Sequence, residues 1–482
     1  MENKNYYITT TLPYVNAEAH IGHALEFVRA DAVARFKKLQ GYNVFFNTGT
    51  DEHGIKIFNK AKETGVTPQA YVDDYANRLK LLLPKLGMME DVNFIRTTDP
   101  EHVKSAQAFW KKCAESGYIE KKKYSVKYCV GCELEKTNSE LVNDCCPEHP
   151  NMKLELIDEE NYFFKFSSFQ EKLQKFYKAN PDFVIPSFRF NEIKAFVDRG
   201  LSDFSISRLK SKMPWGIEVP GDSEQVMYVW FDALVNYVSA IGWPSEMEKF
   251  NKWWPVIQYC GKDNLRQQSA MWQAMLMSVG LPNSKQIIIN GFVTAEGGVK
   301  MSKSLGNVIN PLDVIGDYGT DTLRYFVLRE VHPFEDTPFT ASHLKEAYNA
   351  NLANGLGNLT SRVLKMAETY GVALPEIEIT EKLEEGFPEK FTTAFNEYKL
   401  NSAMDFVWNL ISESDSYIQR EQPFKKVKVD PAGAATDVKI LLINLVTISK
   451  LLQPLLPEIS EKVIAAVRAG KALATPLFMR KE

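Results

Sequence analysis

Two histidines and two lysines, far apart in the chain, have the types and spacing of a phosphate-binding site. His20 and His23 flank Gly22 where an apolar, strand-like run gives way to a helical pattern. The free N–H groups and the dipole at a helix N-terminus favour phosphate, and a glycine there lets a nucleotide approach the backbone closely. Lys300 and Lys303 follow a second apolar run and a glycine-rich stretch. We expect them on a mobile loop that closes on a triphosphate, so that ATP is held from two sides.

Either motif alone can arise by chance, so the elements that position them carry part of the argument. Apolar runs typical of buried strands alternate with helical patterns, and they stand at 6–12, 227–230, 256–260 and 286–290. This alternation predicts an α/β catalytic domain with a doubly wound, Rossmann-like parallel sheet. Its two halves are expected at 1–118 and 225–318, on either side of an insertion at 119–224.

The last third of the chain has a different pattern. A connecting segment is expected at 319–352, and amphipathic patterns from 353 to 482 predict an α-helical bundle. The acidic stretch 375–385 is expected to be a surface loop between two helices.

Composition sets wide limits. A chain of 482 residues, 45% hydrophobic and 24% charged, is typical of a soluble globular protein of two or three domains. We see no apolar segment long enough to span a membrane and no signal peptide, so a cytoplasmic location is expected. The net charge of −4 argues against a surface coated with positive charge. It does not exclude nucleic acid, because a local basic stripe can still bind phosphates.

A cluster of cysteines in the insertion has the spacing of a zinc site. Cys129 and Cys132 form one CxxC turn, and Cys146 and His149 form a second turn after thirteen intervening residues. Three thiolates and one imidazole suit a closed, structural tetrahedral Zn²⁺ site. Two alternatives stay open: Cys145 replaces Cys146 after a shift of one residue, or the turns are surface turns with idle thiols.

Longer motifs around these residues make the sequence resemble the class I aminoacyl-tRNA synthetases, and within them the methionyl-tRNA synthetases with a single zinc knuckle. The stretches that carry the likeness are 12–18, 48–54, 205–208, 229–233, 261–263 and 300–304, and it extends over nearly all of the chain. The resemblance implies that L-methionine is activated with ATP and Mg²⁺ to methionyl-adenylate. The methionyl group would then pass to tRNA(Met) for translation initiation and elongation.

The resemblance also assigns roles to single residues. His20 and His23 would contact the phosphates, Lys303 the pyrophosphate side of the transition state, and Lys300 would support the closed loop. Further ATP contacts would come from Gly22, Gly261, Asp263 and Val293. The methionine pocket would be formed by Leu12, Tyr14, Asp51, Arg208, Trp230, Ala233, Tyr237 and Gln268. Asp51 would bind the α-ammonium group, with Arg208 as its electrostatic partner. Without the surrounding motifs, Trp230 and Tyr237 would be interpreted first as plain core residues.

In the helical region, the resemblance makes Asn358, Arg362 and Phe424 the candidates for reading the tRNA anticodon. Phe424 stands where the family commonly has tryptophan, and an aromatic ring can still stack on an unpaired base. Its alternative role is that of a helix-start hydrophobe. Gln268 stands where many members have histidine, and glutamine keeps hydrogen-bonding capacity without a positive charge.

Two rival functions remain at this stage: another class I synthetase, or a small-molecule nucleotidylyltransferase with the same HxGH motif. The short insertion argues against a leucyl enzyme, and the helical last third would be unexplained in a nucleotidylyltransferase. The sequence shows no β-barrel module after the helices, and a monomer is expected.

Overall fold

The computed structural model describes residues 4–16, 18–132, 134–136, 141–299, 301 and 307–482. Its strands are β1 Asn5–Thr9, β2 Asn43–Thr50, β3 Asn93–Arg96, β4 Ile119–Cys129, β5 Leu134–Lys136, β6 Glu155–Phe164, β7 Val184–Ile185, β8 Phe204–Ser205, β9 Ser207–Leu209, β10 Glu218–Val219, β11 Asp222–Met227, β12 Ile257–Gly261, β13 Gln286–Asn290, β14 Val293–Thr294 and β15 Thr337–Pro338.

The helices of the first two thirds are α1 Ile21–Leu39, α2 Ile55–Thr64, α3 Pro68–Lys85, α4 Pro100–Glu115, α5 Gln170–Ala179, α6 Ser187–Asp198, α7 Val229–Leu234, α8 Asn236–Ser239, α9 Met247–Trp253, α10 Trp272–Ser278, α11 Pro311–Tyr318 and α12 Thr320–Tyr325. Those of the last third are α13 Ala341–Ala347, α14 Asn358–Tyr370, α15 Glu376–Glu384, α16 Glu389–Asn396, α17 Leu400–Glu421, α18 Pro423–Lys426, α19 Pro431–Leu452 and α20 Pro457–Ala469. Within the described part of the chain, no helix combines the length and apolar character needed to cross a membrane.

A six-stranded sheet in the order β3-β2-β1-β12-β13-β7 forms the centre of the catalytic region, and all its strand pairs are parallel. Its strands are rich in apolar residues because helices cover both faces, as in residues 287–289, which are fully buried. The strand order reverses between β1 and β12. In a doubly wound sheet this is where a crevice opens at the carboxyl ends of the strands. The predicted fold class is confirmed.

The inserted region builds two small antiparallel sheets, β5-β4-β6-β8 and β10-β11-β9. It also supplies β7, which pairs with β13 at one edge of the main sheet. The prediction of a main-sheet strand at 227–230 is wrong. There β11 ends at Met227, in an antiparallel sheet, and α7 begins at Val229. A short buried apolar run does not distinguish a strand from a buried helix, which explains the error.

The last third is helical, as predicted, with one difference. The acidic stretch expected to be a loop forms α15, so that expectation is wrong. Glu376 and Glu378 lie in its first turn, where negative charge is favourable, and Ile379 is buried on the inner face. A short amphipathic helix therefore forms in a segment whose acidic composition had suggested a surface loop.

The helical region packs directly on α1. One hydrophobic cluster runs from the α1 face of the sheet into α14, α17 and α19, and Phe36 stacks on Phe395 with ring centroids 4.1 Å apart. A buried ion pair lies beside this contact: Arg324 Nη2 on α12 lies 2.8 Å from Asp31 Oδ2 with both side chains fully buried, and Arg324 Nε donates to the Leu455 carbonyl of the last third at 2.8 Å. Helix α1 thus joins the catalytic sheet to the helical region.

Candidate active site

The first turn of α1 is closed by its own histidines. His20 is the N-cap residue, and its Nδ1 accepts a hydrogen bond from the Gly22 N–H at 3.1 Å. In return, His23 Nδ1 accepts from the His20 N–H at 3.2 Å. The two rings stack with centroids 3.9 Å apart. Because each Nδ1 accepts, the ring proton of each histidine belongs on Nε2, so each ring has the chemistry of an N–H donor at that atom.

Enclosure in the crevice lowers the pKa of His23 well below its usual value, and the neighbouring His20 lowers it further. His23 is therefore a neutral hydrogen-bond donor at pH 7. Gly22 is needed here for a reason that the sequence did not reveal. A Cβ at Gly22 would lie 2.9 Å from Cε1 of His20, so the glycine makes room for the stacked ring as well as for a ligand.

The first turn of α1 opens into a cavity of about 390 Å³ at the switch point between β1 and β12. Nearly all of the predicted ATP-binding and methionine-binding residues line it together: His20, Gly22, His23, Gly261, Asp263, Val293, Leu12, Tyr14, Asp51, Trp230, Ala233, Tyr237 and Gln268. Gly261 has a local role beside Asp263, since a Cβ at Gly261 would lie 2.6 Å from the Asp263 Oδ1 atom.

Three consecutive residues fix the turn after β2, Asp51 through its backbone and the next two through their side chains. Asp51 lines the cavity, and its backbone exchanges hydrogen bonds with Pro13 and Val15. Glu52 takes a bidentate ion pair from Arg96, at 2.7 and 2.9 Å.

His53 is the third side chain of this turn. Its Nδ1 lies 3.0 Å from Asp232 Oδ2 on α7, and both side chains are buried. Burial raises the pKa of Asp232, and the histidine opposes that shift. The pair links the turn that carries Asp51 to the helix that carries Trp230 and Ala233. The sequence pointed to both motifs, but it gave no signal that these residues meet.

Glu26 lines the cavity and was missed by the sequence analysis. It lies one helical turn after His23, which was the available signal. The Thr11 N–H donates to its Oε1 at 2.6 Å, and burial raises the pKa of the carboxyl group to about 8. Glu26 is therefore mostly protonated at pH 7 and does not add a negative charge beside the nucleotide site.

Three predicted residues stand apart from this arrangement. Lys300 and Lys303 lie outside the described residues, although their neighbour Met301 lines the cavity. Arg208 is buried and donates to Ser205 Oγ at 2.6 Å and to the Ser207 carbonyl at 2.7 Å. It lies outside the set of described residues that line the cavity, and its pairing with Asp51 stays a prediction.

Cys129, Cys132, Cys146 and His149 lie together in two turns, here called the knuckle. Their ligand atoms are all within 4.8 Å of one another. Cys132 Sγ lies 3.4 Å from Cys146 Sγ and 3.2 Å from His149 Nδ1. Tetrahedral ligands about 2.0–2.3 Å from a Zn²⁺ ion would be separated by similar distances, so the donor set is compatible with zinc. Among the described residues, this group includes Cys146 and leaves out Cys145.

The knuckle also touches the cavity. Lys56 Nζ donates to the Gly131 carbonyl at 2.9 Å, and both Lys56 and Cys132 are lining residues. Gly131 has no room for a side chain, because a Cβ there would lie 2.5 Å from the His149 ring. The knuckle therefore supports one wall of the cavity.

The predicted anticodon residues lie in the helical region. Asn358 begins α14, and Arg362 follows one turn later with Nη1 2.9 Å from Asp415 Oδ1 on α17. Phe424 lies on α18 and is 41% exposed, so its ring is accessible to a partner.

Comparison with known proteins agrees with this arrangement. The family model described as tRNA synthetases class I (M) matches residues 6–155 and 136–364, and the anticodon binding domain of methionyl tRNA ligase matches residues 367–476. The methionine–tRNA ligase of Caldanaerobacter subterraneus is 40% identical over 98% of this chain and 75% of its own length. That of Brucella suis is 37% identical over 99% of this chain and 96% of its own length.

A solved structure of the Mycobacterium tuberculosis methionyl-tRNA synthetase with methionyl-adenylate is similar at a TM-score of 0.91, with 33% identity, over 99% of this chain and 100% of that one. A doubly wound sheet with an HxGH helix start at its switch point, joined to an anticodon-binding helical domain, defines a class I aminoacyl-tRNA synthetase. Within that class, the chain belongs to the methionyl-tRNA synthetase family.

Proposed function

We propose that this chain is a methionine–tRNA ligase that activates L-methionine with ATP in the cavity at the β1/β12 switch point. The observation that carries the proposal is that one cavity collects both the nucleotide-binding and the methionine-binding residues. A carboxylate oxygen of methionine attacks the α-phosphorus of ATP, the bond to the bridging oxygen breaks, and pyrophosphate leaves. A 3′-terminal ribose hydroxyl of tRNA(Met) then attacks the acyl carbon, and AMP leaves.

The enzyme contributes alignment and charge stabilisation rather than a covalent intermediate. His20 and His23 donate from Nε2 to the phosphates, in the orientation that their Nδ1 hydrogen bonds fix. Asp263 binds the ribose hydroxyls, with Gly261 giving it room. Enzymes of this class use ATP with Mg²⁺, and Lys300 and Lys303 are proposed to neutralise charge as pyrophosphate departs.

The methionine side chain lies among Tyr14, Trp230, Ala233 and Tyr237, because a thioether packs well against aromatic rings. Asp51 binds the α-ammonium group by ion pairing, and Leu12 adds backbone contacts. On the helical region, Asn358 and Arg362 read unpaired anticodon bases and the exposed ring of Phe424 stacks on one. We infer a cytoplasmic location, where ATP, methionine and tRNA meet in translation.

The experiment that tests the function is ATP–pyrophosphate exchange by the purified chain with each of the twenty amino acids, followed by charging of tRNA(Met). Exchange with methionine alone is the expected result. Exchange with a different amino acid would remove the pocket assignment and keep the class, and absence of exchange from folded protein would remove both. Phe424→Ala is expected to lower charging while exchange stays at the wild-type level, because Phe424 lies on α18 and is outside the set of described residues that line the cavity.

The knuckle is proposed to hold one structural Zn²⁺ ion through Cys129, Cys132, Cys146 and His149. Metal analysis of purified protein is expected to give one zinc per chain, and Cys146→Ser is expected to lose it. Cys145→Ser is the matched control and should retain the metal. Loss of zinc from both variants equally would contradict the assignment of the ligands.

A further inference from the structure

Four consecutive residues form one wall of the cavity on its nucleotide side. Residues 290–293, here called the nucleotide wall, all line the cavity and connect β13 to β14. Val293 among them is a predicted ATP contact. Gly291 and Phe292 lie between the two strands, outside regular secondary structure, so their backbone groups must find partners elsewhere in the chain.

A segment of the connecting region supplies those partners. Residues 331–339, here called the clasp, lie against the nucleotide wall, and β15 of the clasp pairs with β14. The Thr337 N–H donates to the Phe292 carbonyl at 3.0 Å, and Asp336 Oδ1 accepts from the Phe292 N–H at 3.0 Å. The approach is close, since a Cβ at Gly291 would lie 2.2 Å from a carbonyl oxygen of the clasp. Both backbone groups of Phe292 are therefore fixed by the clasp.

Helix α1 holds the clasp through a buried arginine. Arg29 is 1% exposed, and its guanidinium group donates to the carbonyls of Val331 at 2.7 Å and of Pro333 at 2.9 Å. The same group donates to Asn290 Oδ1 of the nucleotide wall at 3.1 Å. One side chain thus joins the clasp and the wall to the helix whose first turn carries the two histidines.

Asp336 also joins the nucleotide wall to the turn that carries Asp263. Its Oδ2 atom lies 2.6 Å from Lys262 Nζ, and Lys262 comes directly before Asp263 in the short turn after β12. The Lys262 ammonium group lies 4.4 Å from the centroid of the Phe292 ring. Partial burial raises the pKa of Asp336, but the hydrogen bonds from Lys262 and the Phe292 N–H outweigh it, so the net pKa is lowered and the carboxylate is ionised at neutral pH.

We propose that Asp336 and Lys262 are positioning residues for ATP: one carboxylate fixes the nucleotide wall with one oxygen and the Asp263 turn with the other, which sets the distance between the two sides of the nucleoside site. Both residues lie outside the set of described residues that line the cavity, so they act through Phe292 and Asp263. The inference rests on the proposed function, in which Asp263 binds the ribose. The predicted methionine contacts Trp230, Ala233 and Tyr237 lie on α7 and α8, so the effect is specific to the nucleotide.

The test is ATP–pyrophosphate exchange, with KM measured separately for ATP and for methionine. Asp336→Ala loses both contacts and is expected to raise KM for ATP about tenfold, the effect of one hydrogen bond to a charged group. Asp336→Asn keeps an acceptor for the Phe292 N–H and should raise it about threefold, as for one partly exposed ion pair. Lys262→Met should match Asp336→Asn and add nothing in that background, whereas Lys262→Arg should restore KM for ATP. KM for methionine should stay within about twofold in every variant.

Asp222→Asn is the matched control. Asp222 also combines a partly exposed lysine pair, with Lys121 at 2.7 Å, and a backbone N–H, that of Glu224 at 3.2 Å, outside the set of described residues that line the cavity. It should leave both KM values unchanged.

Two results would overturn the inference: an unchanged KM for ATP in folded Asp336→Asn and Lys262→Met proteins, or equal rises in KM for ATP and methionine. These two variants carry the test if Asp336→Ala does not fold. If the wild-type chain shows no exchange with methionine, the proposed function fails. If it does and only KM for ATP fails to respond, the inference alone fails.

Discussion

Helix α1 meets the cavity at its first turn and the helical region along its middle, and its polar side chains behave differently in the two places. At the first turn, burial favours the neutral forms of His23 and Glu26, and the two histidines that line the cavity carry their ring protons on Nε2. Along the middle, Asp31 and Arg324 form a buried ion pair whose other polar atoms are bonded to the protein. The first turn, here called the ligand end of α1, keeps hydrogen-bonding capacity for a substrate. The middle of α1 uses its hydrogen-bonding groups within the protein.

The hydrogen-bond network at the middle of α1 extends well beyond the ion pair. Asp31 also accepts from the backbone N–H of Met89 at 2.9 Å and from Arg35 at 2.8 Å. Arg324 donates to the carbonyls of Leu455, at 2.8 Å, and Leu86, at 3.1 Å. These bonds tie α1 to the connection after α3 and to the turn before α20. Because the charges are fully desolvated, removing one partner leaves the other without compensation.

The largest effect that we expect is on stability. Asp31→Ala should lower the free energy of unfolding by about 3–5 kcal/mol, because Arg324 would remain buried and unpaired. Denaturant-induced unfolding measures this. Asp91→Ala is the matched control, since Asp91 pairs with Lys38 from an exposed position, and it should cost less than about 1 kcal/mol. Equal losses in the two variants would show that the middle of α1 has no special structural role.

The next largest effect is on activity, and it arises in the first turn of the same helix. His23→Asn keeps an acceptor near the position of Nδ1 for the His20 N–H but lacks the Nε2 donor, so exchange should fall about 10²–10³-fold while stability changes little. His23→Gln places an amide N–H near the position of Nε2 and should retain more activity than His23→Asn. Steady-state exchange kinetics and thermal unfolding of both variants decide the matter. If His23→Asn loses stability but keeps its activity, the first turn and the middle of α1 do not differ as proposed.

The sequence predicted the ligand end of α1 much better than the contacts at the middle of the helix. The HxGH spacing indicates a helix start and a phosphate site because both depend on residues within one turn. Asp31 and Arg324 are separated by 293 positions, and apolar periodicity says nothing about which buried charges meet. The same holds for His53 with Asp232 and for the buried amides of Gln258 and Gln268, because each contact depends on side-chain directions that only the assembled fold defines.

Glu26 gives the smallest and most specific effect, on the pH dependence of stability. Burial raises the pKa of its carboxyl group from 4.5 to about 8, so between these values the folded state holds a proton that the unfolded state has released. By linkage, this group therefore makes the protein less stable as pH rises from about 4.5 to 8, with no further change above that range. Glu26→Gln removes the titration, so its advantage over the wild type should be smallest at pH 4.5 and reach on the order of 1–3 kcal/mol at pH 8.

Urea unfolding of the wild type and Glu26→Gln at pH 5, 7 and 9 measures the difference. Glu63→Gln is a suitable control, because Glu63 is an exposed partner of Lys60 and its substitution should shift stability by the same small amount at each pH. A constant difference between Glu26→Gln and wild type would mean that Glu26 is ionised in the folded protein. The ligand end of α1 would then carry a negative charge beside the phosphates, and its contrast with the paired charges of the middle would be lost.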